Sequence, residues 1–107
     1  LEKQITDGKS MIRHIVMFRL KEEISKDILP EVKARALSLR DKIPFIRGME
    51  VHAGAAGAPE SNYDIALICD FDSIEALDAY RDHPAHVAFR GYITPLRELR
   101  ACFDFEY

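Results

Sequence analysis

The stretch Ile12–Leu20, IRHIVMFRL, has the period-two alternation of a β-strand, and it carries apolar residues on both faces. One face holds Ile12, His14, Val16, Phe18 and Leu20. The other face holds Arg13, Ile15, Met17 and Arg19. We assign the first face to the side covered by helices. The second face keeps two large apolar residues, so the stretch predicts a strand inside a sheet that is covered on both sides.

Further strand and helix patterns follow this strand along the chain. The other strands are predicted at residues 46–54, 63–72 and 99–105, and the helices at residues 28–42, 74–81 and 84–96. The order β-α-β-β-α-α-β matches the ferredoxin-like split β-α-β arrangement. We therefore predict an α+β fold with a four-stranded antiparallel sheet in the order 4-1-3-2 and all helices on one face.

Capping residues and prolines set the predicted helix boundaries. Asp27 is preferred to Ser25 as the cap of the first helix, because it places Pro30 at the third helical position, where no hydrogen bond is lost. Ser73 is the predicted cap of the second helix. Pro84 suits the first position of the third helix, since its fixed φ is already helical.

The side of the sheet away from the helices is the feature that predicts assembly. Such a face is normally polar. Here it is expected to carry Ile15, Met17, Met49, Val51, Ala66 and Ile68. A large exposed apolar patch marks an interface, and a two-fold axis lets one patch complement itself. We predict a homodimer through this open sheet face.

The two cysteines are predicted to stay free thiols. Cys69 and Cys102 fall on the third and fourth strands, which flank the first strand in the predicted order. Two strand spacings separate such residues by about 9–10 Å. A disulfide needs Cα atoms within about 7 Å, so the two thiols are too far apart.

Composition excludes several classes of partner. The 107 residues have a formal net charge of −3, with 48% hydrophobic and 31% charged residues, which is ordinary globular composition. No clustered basic surface points to nucleic acid. No apolar run approaches the roughly 20 residues that cross a bilayer, so no membrane partner is expected. We expect a cytoplasmic location. Residues 1–10 have neither a strand pattern nor a helix pattern and are expected to be a leader or an added extension. We expect one domain at residues 11–107.

Several segments together resemble the stress-responsive A/B barrel domain family, called Dabb. They are the strand segment RHIVMF at residues 13–18, YDIALICDFDS at 63–73, YRDHPAHVAF at 80–89 and CFDF at 102–105. The resemblance covers nearly the whole chain from Met11, and the HPAH segment is its most specific part. It implies a dimeric ferredoxin-like α/β barrel.

The resemblance also implies candidate site residues. A plant member of the family cyclises a linear polyketide by aldol condensation with a histidine and a tyrosine, which match His86 and Tyr80. A strand-one histidine that lines the same pocket matches His14. A further histidine of that enzyme is replaced by Ile65 here, which weakens transfer of the same reaction.

Chemically, His86 could act as a base on a carbon acid and Tyr80 could hold the developing oxyanion, with no metal or cofactor expected. Each residue also has a structural interpretation: His86 as a local hydrogen-bonding group, His14 as a satisfied buried histidine, and Tyr80 as a core residue. Metal binding by His83 and His86 lacks a third ligand.

The sequence leaves three functions open. The dimer could be a small enzyme that acts on a carbonyl compound, or a non-catalytic ligand-binding or stress-associated protein whose cavity holds a small apolar molecule or none. A cofactor-free monooxygenase is the third possibility, by analogy of fold alone.

Overall fold

The computed structural model describes residues 10–107, so residues 1–9 of the predicted leader lie outside the described part. Its strands are β1 (Ile12–Leu20), β2 (Gly48–Ala53), β3 (Ile65–Phe71) and β4 (Arg97–Glu106). Its α-helices are α1 (Leu29–Leu37), α2 (Leu39–Lys42), α3 (Ile74–Asp82) and α4 (Pro84–Ile93). This order confirms the α+β, ferredoxin-like prediction. Within residues 10–107, none of the helices has the length and apolar character needed to cross a membrane.

The four strands form one antiparallel sheet in the order β2-β3-β1-β4, which is the predicted order. His14 on β1 lies between Cys69 on β3 and Asp104 on β4. The two cysteines therefore sit on opposite sides of β1, and both are free thiols, as predicted. The register also places Asp104 directly beside His14.

Burial alternates along β1 and β3 as the sequence pattern requires. On both strands every second side chain is buried against the helices and the ones between are half-buried. The core therefore lies between the sheet and the helices. Its fully buried members include Val32, Leu67, Phe71, Leu77 and Tyr80.

The prediction that Met49 and Val51 of β2 lie on the open face was wrong. Met49 and Val51 are only 7% and 3% exposed, and they lie opposite Cys69 and Leu67, whose side chains are also buried. Both residues therefore belong to the helix-covered core. Because strand faces alternate with a period of two, the face of a weakly patterned strand can be assigned only relative to its partner.

The open face receives its remaining apolar residues from β4 and not from β2. Phe103 and Ala101 lie opposite Ile15 and Met17, so they share the open face with them. Phe103 is 67% exposed and Leu99 is 45% exposed. The apolar part of the open face, formed by Ile15, Met17, Ala66, Ile68, Leu99, Ala101, Phe103 and Phe105, thus runs across β3, β1 and β4.

The start of the first helix also differs from the prediction. Ser25, not Asp27, is the capping residue: its Oγ accepts from the Asp27 backbone N–H at 3.1 Å. A 3₁₀ turn at Lys26–Ile28 then precedes α1. Because this turn occupies the residues between the Ser25 cap and α1, Pro30 still lies near the start of the α-helix and breaks no hydrogen bond.

The cap of α3 is confirmed and gives a first prediction. Ser73 Oγ accepts from the Ala76 backbone N–H at 3.1 Å. Removing the oxygen in Ser73→Ala should lower the free energy of unfolding in urea by about 1 kcal/mol. Ser73→Asp keeps an acceptor and serves as the matched control, which we expect to stay within about 0.5 kcal/mol of the wild type. Equal losses in both variants would contradict the capping role.

Candidate functional site

All three predicted site residues line one pocket. It lies between the sheet and the α3–α4 pair, and its volume is about 270 Å³. His14 comes from β1, Tyr80 from the end of α3 and His86 from the start of α4. The apolar part of the wall is formed by Val16, Phe18, Leu67, Phe89 and Ile93. The fold therefore brings together side chains that are up to 72 residues apart in the chain, between His14 and His86.

His14 is held in one orientation by Asp104. The imidazole is 2% exposed, and its Nδ1 lies 2.5 Å from Asp104 Oδ1. A carboxylate can only accept, so Nδ1 carries the proton and Nε2 is the free acceptor. Burial lowers the pKa of His14, while the hydrogen bond and the charge of Asp104 oppose that shift. Among the described residues, Nε2 has no hydrogen-bond partner. Every fully buried polar side-chain atom of these residues does have a partner, so Nε2 is not fully buried and is accessible from the pocket.

Asp104 is the site residue that sequence reasoning missed. Its Oδ2 also accepts from Arg81 Nη2 at 3.2 Å. Burial alone would raise the pKa of Asp104, but the hydrogen bond and charge of His14 and the charge of Arg81 hold the pKa below its usual value. The alternation of β4 did place Asp104 opposite the Phe103 face. Only the pairing of β4 with β1 reveals that this side faces His14.

His86 is oriented by the turn between α3 and α4. His83 caps α4, with its Nδ1 accepting from the Ala85 backbone N–H at 3.1 Å, and His86 follows in the first turn. His86 Nδ1 lies 3.1 Å from the Arg81 carbonyl oxygen. That oxygen cannot donate, so Nδ1 donates and Nε2 is again the acceptor. Arg90 Nη2 is also 3.3 Å from this Nδ1, but it donates to the same carbonyl at the shorter distance of 2.9 Å. Burial, and then the charge of Arg90, lower the pKa of His86 to about 4.

Tyr80 joins the two imidazoles by ring contacts. Its ring centroid lies 4.5 Å from that of His86 and 6.2 Å from that of His14. The side chain is 1% exposed, and its hydroxyl interacts with the Cys69 thiol. Burial raises the pKa of both groups, to about 12 for Cys69, so the phenol and the thiol stay neutral.

One further cluster offers metal-ligand atoms. Atoms of His14, Cys102 and Asp104 lie within 4.8 Å of one another. These donor types bind zinc in proteins. However, Asp104 is already paired with His14 and Arg81. The His83–His86 pair is no better, because each Nδ1 is bound to backbone. We assign no metal to either group.

The lowered pKa of His86 gives a second prediction. Its imidazole should stay neutral as the pH falls through 6.5 and take up a proton only near pH 4, because the buried cation is disfavoured and Arg90 repels it. Arg90→Gln should move the midpoint upward, whereas Arg40→Gln, at an exposed position of α2, should not. The measurement is NMR titration of the His86 ring signals. A midpoint unchanged by Arg90→Gln would contradict the electrostatic cause.

Together the fold and this pocket define a small ferredoxin-like α+β protein with a two-histidine cavity between its sheet and its helices. Comparison with known families is consistent with that class. The family model described as the stress responsive A/B barrel domain matches residues 12–107. The chain therefore belongs to the stress-responsive A/B barrel (Dabb) family.

Individual relatives agree with this membership. An uncharacterized protein of Streptomyces coelicolor is 37% identical over 82 residues, which is 73% of this chain and 81% of the relative. A crystal structure described as a dimeric protein of unknown function with a ferredoxin-like fold, from Bacteroides fragilis, is 33% identical. It has a TM-score of 0.81, covering 91% of this chain and 96% of that one. A hydroxynitrile lyase from Passiflora edulis shares the fold at 18% identity and a TM-score of 0.78, with 91% and 93% coverage.

Proposed function

We propose that the protein works as a homodimer joined through the open sheet face. The support is the continuous apolar surface across β3, β1 and β4, in which Phe103 is 67% exposed. Exposed apolar patches of this kind mark interfaces. The Bacteroides fragilis relative is described as dimeric. A second copy of the same sheet face would cover Phe103 and Ile15 in both subunits at once.

We further propose that the pocket of each subunit transfers a proton on a small carbonyl compound. One observation carries this proposal: both imidazoles in the pocket are fixed with the proton on Nδ1, by Asp104 for His14 and by the Arg81 carbonyl for His86. Each Nε2 is then an unprotonated nitrogen, which is the form that a general base needs. The oriented pair of histidine and carboxylate is the arrangement that stabilises an imidazolium in acyl-transfer enzymes.

We assign the base to His14, since Asp104 stabilises its protonated form. Nε2 takes a proton from the carbon next to a carbonyl, and the resulting enolate carbon bonds to a second carbonyl carbon. The new alkoxide then takes the proton back from the imidazolium, so the step needs no other reactant. His86 as the base stays the prediction from resemblance, and its pKa of about 4 makes it the weaker base at neutral pH.

A direct test compares His14→Ala and His86→Ala with His52→Ala, in which the changed side chain is exposed on β2. The substrates are a chromogenic β-hydroxy ketone, cleaved by the reverse of this step, and mandelonitrile, chosen because the Passiflora edulis relative is a hydroxynitrile lyase. We expect turnover by the wild type and by His52→Ala, and its loss in His14→Ala. If turnover survives in His14→Ala and is lost in His86→Ala, the base is His86.

A non-catalytic ligand-binding dimer is the second candidate function. The observation in its favour is that Tyr80, the expected donor to an oxyanion, is a core residue with only 1% of its surface exposed. In that case the purified protein should release an unaltered small molecule on denaturation, detectable by mass spectrometry. The wild type and His14→Ala should then behave alike on both substrates.

A further inference from the structure

The charge of the pocket points to a ligand more specific than a neutral carbonyl compound. Its lining includes four arginines, Arg81, Arg90, Arg97 and Arg100. Among the described residues that line it, none is Asp or Glu. The chain as a whole has a formal net charge of −3, so this concentration of positive charge does not follow from composition. A cleft lined by charges of one sign attracts ligands of the opposite sign.

Two of these arginines are already occupied. Arg81 pairs with Asp78 at 3.1 Å and with Asp104 at 3.2 Å. Arg90 donates to the Arg81 carbonyl oxygen at 2.9 Å. These contacts hold the turn between α3 and α4. They explain the presence of Arg81 and Arg90 without a ligand.

Arg97 and Arg100 have no such explanation. Within residues 10–107, neither guanidinium has a hydrogen-bond or ion-pair partner, and both line the pocket. β4 places Arg100 opposite Phe18, whose side chain is buried in the pocket wall. The two free cations therefore stand beside an apolar surface.

The position of Arg100 relative to the histidines adds to this argument. Burial is the main cause of the lowered pKa of both His14 and His86, and the charge of Arg100 is a smaller cause common to both. Arg100 is thus close enough to act on the two imidazoles. An anionic group bound by Arg100 would lie near the atoms that transfer the proton.

We propose that the pocket binds an amphipathic anion, with its carboxylate on Arg97 and Arg100 and its apolar body against Phe18, Phe89 and Ile93. Guanidinium groups match a carboxylate through two parallel N–H···O bonds. The cavity of about 270 Å³ lies just below the usual range for small-molecule sites, about 300–1,000 Å³, so the acid is a short one. This inference rests on the proposed function in one respect only: both take this pocket to be the ligand site.

The test is calorimetric titration with four probes that share one apolar tail: octanoate, octyl phosphate, octanol and octylamine. Octanoate should bind at least tenfold more tightly than octanol, because each charge-assisted hydrogen bond contributes about one tenfold step in affinity. Octylamine should bind most weakly. Arg97→Gln and Arg100→Gln should each weaken octanoate about tenfold and leave octanol unchanged. Arg40→Gln removes one exposed charge that does not line the pocket and should change neither.

The outcomes separate this inference from the proposed function. Equal binding of octanol and octanoate would overturn the anionic ligand while the pocket remains a ligand site. Binding of octyl phosphate that is tighter than that of octanoate, and lost in Arg100→Gln, would retain the anion and replace its carboxylate by a phosphate. If none of the four probes binds, the inference and the proposed ligand site both fail.

Discussion

Replacing Phe103 by glutamate should convert the proposed dimer into monomers. Phe103 is the most exposed of the large apolar side chains of the described chain, and it lies on β4 opposite Ile15 in the middle of the open face. A two-fold interface would bury two copies of the new carboxylate without partners, and an unpaired buried charge costs several kcal/mol. The dimer dissociation constant should rise at least about 100-fold, measured by sedimentation velocity across a concentration series.

The matched control is Val87→Glu. Val87 is 47% exposed on α4, so this substitution introduces the same charge at an exposed apolar position on the helix side. We expect it to remain dimeric. The proposed interface would be wrong if Phe103→Glu stayed dimeric at low micromolar concentration, or if the wild type sedimented as a monomer.

Changing Asp104 to asparagine should remove most of the proposed catalytic activity while the fold stays intact. The new side chain would no longer require a proton on Nδ1 of His14, and its amide could donate to that atom instead. The proton would then move to Nε2, where the base is needed. The same substitution in a serine-protease triad lowers turnover about 10⁴-fold, and we expect a loss of about 10²–10⁴-fold here.

Asp78→Asn is the control for this change. Asp78 also pairs with Arg81 but does not contact His14, so its loss tests the ion pair without the imidazole. In the proposed reaction Asp104 positions His14, so its loss should lower kcat with little change in KM, and it should alter the pH profile of kcat. If Asp78→Asn lowers turnover equally, Asp104 acts through Arg81 and not through His14.

The strand pattern at residues 12–20 was sufficient to predict the centre of this fold. Its period of two does not depend on distant residues, so β1 is found with the predicted bounds. The Ser73 cap and Pro84 are equally local, and both are confirmed. The gathering of His14, Tyr80 and His86 at one pocket was implied by resemblance, and the fold places them there. Their chemical roles remain predictions.

The errors in the sheet share one physical cause. Met49 and Val51 were placed on the wrong face, and Asp104 was not recognised as the partner of His14. In each case the side chain's neighbours come from another strand. A strand's own alternation divides its residues into two sets, but it does not show which set faces the helices.

The amino-acid sequence by itself determined the order of the elements, the two-sided apolar character of β1 and the free state of the two thiols, because each follows from local periodicity or from strand order. Only the tertiary structure decided which residues of β2 and β4 face the core, that Asp104 holds His14, and that Arg97 and Arg100 line the pocket without partners among the described residues. Those features depend on the register between strands that are far apart in the chain, and no single segment encodes that register.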